Sequence, residues 1–289
     1  MKKITRLFIL GLILFPTASI IAQPYLDLGQ VTYWASPGNN GDPKKFNQLR
    51  AQFNLPLVNK KDSSVFLINP VWEERWIQAY DTSRNVNLKG LITWFTYTRN
   101  LGKKWSLMVA AIPRWVGEPS VQFSEGFQMG GAFLLTRKLR PGLQLKAGLY
   151  YNKEFFGNFF LPLVGIDWKI NNKMNLFGIL PGNLTFEHRV KDRLTWGGAF
   201  RTFTNSYRLV EGSLTGFDNF IRINDIQLGI YSDFYLTKKV VFNLEAGHTL
   251  FREFSTAVEG VKGKNNLHVL ADKDNFYFKA SLQYRLRFR

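Results

Sequence analysis

The chain has 289 residues, no cysteine and a formal net charge of +17. The missing cysteines exclude a disulfide framework and thiolate metal sites. Aromatic residues make up 16% of the chain, yet mean hydropathy is only −0.15. An ordinary globular core does not combine these values; a sheet with one apolar face, one polar face and aromatic belts at two membrane boundaries does.

Taken in chain order, the first element is a leader. Lys2, Lys3 and Arg6 precede an apolar run from Leu7 to Phe15, and small or neutral residues lead to Ala22. That layout predicts a cleavable secretory signal over 1–22 and a single mature domain over 23–289, starting at Gln23. Without the leader's three cations the net charge is +14. Export argues against nucleic acid as the partner of so basic a chain; an anionic lipopolysaccharide leaflet or a basic lumen suits it better.

Fourteen strands follow, near 25–35, 44–57, 64–72, 86–99, 103–114, 127–138, 142–152, 160–170, 173–180, 183–190, 193–204, 224–237, 239–251 and 275–288. Successive side chains on a strand point to opposite faces. In 48–57, Leu49, Ala51, Phe53, Leu55 and Leu57 oppose Gln48, Arg50, Gln52 and Asn54; in 143–151, Leu143, Leu145, Ala147, Leu149 and Tyr151 form one face. In 226–236, Ile226, Leu228, Ile230, Phe234 and Leu236 oppose Gln227, Gly229, Tyr231, Asp233 and Tyr235. Short turns at 58–63, 100–104, 138–142, 171–173, 191–193 and 237–239 alternate with longer connections. The expectation is an all-β, transmembrane, antiparallel up-and-down barrel with both termini periplasmic. Twelve strands is the alternative, since 173–180 and 183–190 are short.

The last strand is amphipathic throughout, Phe276, Phe278, Ala280, Leu282, Tyr284, Leu286 and Phe288 alternating with polar residues. It resembles the signal read by the outer-membrane barrel-insertion machinery, although Arg289 follows the terminal aromatic. Opposite the apolar stripes, the candidate lumen-lining residues are Arg50, Lys89, Lys146, Asp167, Lys169, Glu187, Arg189, Arg201, Asp233, Glu245, Lys279, Arg285 and Arg287. Nine of these thirteen are basic, which would favour anions in an open channel.

Residues 161–201 carry a resemblance. Pro162-Leu163-Val164-Gly165-Ile166-Asp167-Trp168, Asn175-Leu176-Phe177-Gly178-Ile179-Leu180-Pro181 and Asn183-Leu184-Thr185-Phe186-Glu187 resemble Bacteroidota-type outer-membrane barrels of unknown function. The resemblance implies a fold and an outer-membrane location, and no activity.

Catalytic patterns are weak. No HExxH motif or clustered ligands accompany His188, His248 and His268, so no catalytic, metal or cofactor residue is assigned. His188 and His248 fall on the outward face, where a lipid hydrolase or acyltransferase would need a nucleophile within hydrogen-bond reach; no serine is spaced to supply it. The eight tryptophans read as a girdle. Trp72 and Trp76, flanking Glu73, Glu74 and Arg75, mark the place for a ligand. The function expected is a passive pore for small, anionic solutes. The alternatives are a non-conducting structural or docking barrel and, behind it, a membrane-embedded lipid-modifying enzyme. Its partners would be outer-membrane lipid, lipopolysaccharide and the insertion machinery.

Overall fold

Alternating strands with one apolar face bury every backbone N–H and C=O only if the sheet closes on itself. In a computed structural model this is what the chain does. It describes residues 24–39, 42–59, 61–78, 85–210, 218–259 and 268–288; the expected leader lies outside the described residues.

The strands are β1 (Tyr25–Asn39), β2 (Asp42–Phe53), β3 (Leu55–Asn59), β4 (Ser64–Gln78), β5 (Asn85–Asn100), β6 (Trp105–Gly117), β7 (Phe127–Arg140) and β8 (Leu143–Glu154). A one-turn helix, α1 (Phe123–Gly126), precedes β7. After β8 come β9 (Gly157–Lys169), β10 (Met174–Leu180), β11 (Asn183–Lys191), β12 (Leu194–Arg208), β13 (Phe220–Tyr235), β14 (Val240–Ala257), β15 (His268–Ala271) and β16 (Phe276–Arg287).

β2 and β3 are one stave interrupted at Asn54, because Gln52 opposite Val71 and Leu55 opposite Ile68 keep one register against β4. β15 pairs only with the upper end of β14. The remainder is a closed antiparallel barrel of fourteen strands, sealed where β16 runs between β1 and β14. The two short strands are full members: β10 and β11 pair from Met174–His188 to Ile179–Asn183.

Most long strands reach further at their upper, non-terminal ends than alternation alone indicates. β4 continues to Gln78 rather than 72, β12 to Arg208 rather than 204, β13 begins at Phe220 rather than 224, and β14 runs to Ala257 rather than 251. Above the bilayer neither face must be lipid-compatible, so pairing continues after the alternating pattern fails.

The outer surface carries the apolar band. Val31, Leu228, Leu244 and Leu282 stand exposed on it, and Val31 and Phe242 flank Leu282 across the two neighbouring strands. The inner surface is packed. Tyr231 lies across Gly197 on the neighbouring strand, where an added Cβ would meet the Tyr231 hydroxyl at 2.7 Å and the Phe186 carbonyl at 2.0 Å. Gly197→Ala is therefore expected to cost about 1–3 kcal/mol by overpacking. Urea unfolding in micelles checks this; an unchanged midpoint would mean that both Tyr231 and the β11 backbone at Phe186 have room to move.

Candidate functional site in the lumen

The upper half of the barrel interior holds an apolar core with buried ion pairs set into it. Phe46 from β2, Val71 and Ile77 from β4, Leu88 from β5, Ile112 from β6, Ile221 and Ile223 from β13 and Phe254 from β14 form one buried cluster. Tyr207 near the end of β12 belongs to it. Arg208 forms a parallel bridge to Gly117 of β6, and Glu118 N–H donates to the Arg208 carbonyl at 2.9 Å. β6 and β12 are six strands apart around the wall. Fourteen strands at about 4.8 Å spacing would give a circular section more than roughly 20 Å wide. The end of β12 therefore turns inward across the mouth.

Two more contacts join β12 to β4, six strands away around the other side of the wall. The Tyr207 hydroxyl donates to Glu73 Oε1 at 2.5 Å, and the Arg75 guanidinium lies 5.1 Å from the ring centres of both Phe203 and Tyr207. Near the terminal end, Tyr25 on β1 meets Phe177 on β10 edge-on, with centroids 5.6 Å apart.

Between these braces run networks of buried ions. Glu245 holds Arg201, Lys279 at 2.5 Å and the Tyr277 hydroxyl at 2.8 Å. Arg285 bridges Asp27 at 2.6 Å and Asp233 at 2.7 Å, its guanidinium 3.6 Å from the Tyr25 ring centre. Arg287 donates two bonds to Glu187, and Lys146 meets Asp167 at 2.7 Å. Level with the upper brace, Arg114 pairs with Glu154, whose Oε2 also accepts from Ser206 Oγ at 2.6 Å.

Of the candidates read from the sequence, Arg50, Lys146, Asp167, Glu187, Arg201, Asp233, Glu245, Lys279, Arg285 and Arg287 share these networks or their pairing face. Arg50 reaches Glu73 at 3.5 Å. Lys169 and Arg189 sit at the terminal rim, Arg189 bonded to Asp192 at 2.7 Å in the adjoining turn.

Lys89 needs correction. Val86, Leu88 and Ile92 fill the lumen, so Lys89 points outward and lies 3.8 Å from outward Glu74. Alternation assigns Lys89 the wrong face because the lumen is apolar at that height, and an apolar residue there no longer marks the lipid side.

Several interior ions are not among the lumen-lining candidates read from the sequence: Asp27, Arg114, Glu154, Asp225, Arg252, and Glu73 and Arg75, which the sequence marks only as part of a ligand-binding loop entrance. Glu73, Arg75, Glu154 and Arg252 fell in segments read as loops. Arg252 turns inward through a bulge, with Phe251 at φ 53° and the β13–β14 register slipping between Asn224 and Ile226. It then meets Asp225 at 3.4 Å, both side chains fully buried. These additions bring in four acids and three bases, and most of the basic excess read from the sequence meets carboxylates.

His188 and His248 face outward, edge-on to Trp196 and Phe276. Among the described residues, no group of three or more potential ligands is placed to hold a metal ion.

Geometry of this kind defines a closed transmembrane-type β-barrel with a filled lumen. Residues 77–285 match DUF6268, a domain of unknown function, and the chain belongs to that family. No curated protein matches it. Among solved structures it is similar to the NanC porin, at 9% identity and TM-score 0.40 over 89% of this chain and 100% of that one. It is also similar to the Salmonella typhi outer membrane phospholipase, at 10% identity and TM-score 0.40 over 93% of this chain and 98% of that one. Omp33 of Acinetobacter baumannii gives 9% identity and TM-score 0.37 over 92% and 100%.

Proposed function

We propose that this is an outer-membrane protein whose barrel stands closed, acting as a structural or docking barrel rather than as an open passive pore. The observation that carries the reading is the inward turn of β12, which lays Tyr207 against Glu73 and Arg208 against Gly117 across the mouth. An aqueous channel needs continuous polar space; here an apolar cluster with the buried pairs Arg75–Glu73, Arg114–Glu154 and Arg252–Asp225 set in it occupies the upper interior, and further paired ions the lower. The leader at 1–22 and the Bacteroidota-type segment at 161–201 support export to the outer membrane of a Gram-negative cell of that type. The alternating terminal strand, seated between β1 and β14 at the closing seam, supports recognition by the insertion machinery. For lipid chemistry the support is poorer: the outward histidines pack on aromatic rings, and His248 Nδ1 lies 2.6 Å from the Thr249 carbonyl.

Planar bilayers test the reading. Native protein is expected to insert silently, whereas Glu73→Ala with Tyr207→Ala, which removes the brace, is expected to give conductance steps. Steps from the native protein would overturn the closed reading, and their reversal potential in a salt gradient would then report selectivity. Silence of both, with insertion verified by heat-modifiable gel mobility, would show that this brace does not control the mouth.

A further inference from the structure

The paired lumen leaves the chain's large positive charge to be found elsewhere. It lies on one rim. The six tight turns at the terminal end, with the strand residues beside them (61–63, 99–104, 137–142, 169–173, 189–193 and 236–239), hold fourteen Lys or Arg against two Asp. That net +12 is most of the +14 expected for the mature chain. The two acids are engaged locally: Asp62 accepts from Ser64 N–H and Oγ, and Asp192 accepts from Arg189. The side-chain bond from Ser64 leads in holding the Asp62 carboxyl below the usual range. Among the described residues the opposite rim is mixed in sign, with Arg208 paired to Glu259 at 2.7 Å.

Depth and direction of the rim cations narrow the partner. Arg137 lies over the outward Trp105 ring at 5.3 Å, and Lys239 over the outward Tyr284 ring at 5.8 Å. Indole and phenol rings settle at headgroup level, so cations held on them sit at headgroup depth and face the bilayer rather than the lumen. Arg99 is exposed on the same outer face of β5, and Lys103 and Lys104 are exposed in the turn that follows. A ring of cations at that depth fits the phosphodiesters of an anionic leaflet, each cation strengthening the attraction and salt weakening it.

We propose that the terminal-side rim is a binding belt for anionic phospholipid headgroups of the periplasmic leaflet, centred on Arg99, Lys103, Lys104 and Arg137. This assignment of leaflet rests on the outer-membrane reading above, with both termini periplasmic. The belt opposes the side on which a lipopolysaccharide leaflet would lie, and it holds the barrel at a fixed depth and orientation in an asymmetric membrane.

Tryptophan quenching by brominated lipids tests it, because Trp105 lies inside the belt. Protein is reconstituted in phosphatidylcholine vesicles containing brominated phosphatidylglycerol or brominated phosphatidylcholine, and relative association constants are measured at low and high salt. Heat-modifiable mobility verifies a folded barrel in each sample, so failure of the barrel reading is seen separately. Native protein is expected to prefer phosphatidylglycerol by about threefold or more at low salt, with the preference shrinking at high salt. The variant carrying Arg99→Gln, Lys103→Gln, Lys104→Gln and Arg137→Gln is expected to lose most of it. Equal constants for the two lipids in native protein would overturn the proposal, as would an unchanged preference in the folded variant. If the variant kept its lipid preference but lost co-sedimentation with purified peptidoglycan, the belt would be a polymer-docking surface and the proposal would again fail.

Discussion

Arg285→Met is expected to destabilise the folded barrel by about 3–5 kcal/mol, the cost of leaving one side of a buried pair without its partner. Arg285 is 2% exposed and its guanidinium bridges Asp27 and Asp233, which arrive from β1 and β13 on either side of the closing seam. Methionine fills much of the same volume but leaves those carboxylates without their shared cation beside the Tyr25 ring. Urea unfolding of vesicle-reconstituted protein, followed by gel mobility, measures the change. Arg193→Met, at an exposed turn position, serves as the control and should stay within about 0.5 kcal/mol of native. A loss below about 1 kcal/mol at Arg285 would mean that water solvates the two carboxylates, and the lumen would then be wet at that depth.

Leu228→Arg is expected to cost about 2–4 kcal/mol if the site lies near the bilayer midplane, because a guanidinium there replaces an apolar contact with lipid. Leu228 is 55% exposed on the outer face, between Phe200 of β12 and His248 of β14. Gln52→Glu, on the inner face and half-buried beside Gln30, should cost far less, because the Arg50 guanidinium already donates to Gln52 Oε1. Gln227 and Gln283, the neighbours that alternation would offer as tolerant lumen sites, are both 6% exposed; Gln227 bonds to Asp225, and Gln283 accepts from Arg285. Charge there disturbs a network, so inward facing does not by itself confer tolerance. Equal cost at Leu228 and Gln52 would place the lipid boundary elsewhere on the wall.

The contrast between these sites marks how far the sequence could be read. The number of strands, their order, the tight turns and the closing role of the last strand were legible, because lipid on one side and backbone pairing on both edges impose strict alternation within the bilayer. Leu145, Leu228 and Leu282 stand on the outer face for that reason. The thirteen charged candidates were found by the same rule, which fails where its cause is absent. Above the bilayer the outer face need not be apolar and the inner face need not be polar. There Leu88 and Ile112 point inward, Lys89 points outward, and Glu73, Arg75 and Arg252 lie inside the barrel although they read as loop residues.

What only the tertiary structure decided is which charges meet. Asp27, Asp233 and Arg285 are far apart in the chain, and closure of the sheet brings them together. The inward turn of β12 depends on Gly117, where an added Cβ would sit 2.9 Å from the Arg208 carbonyl, a contact between strands with no local trace in the sequence. The charge total belongs to the sequence; its division into a neutralised lumen and a basic rim comes from pairing across the closed wall. Local alternation sets the face of each strand, while long-range packing sets what fills the space those faces enclose.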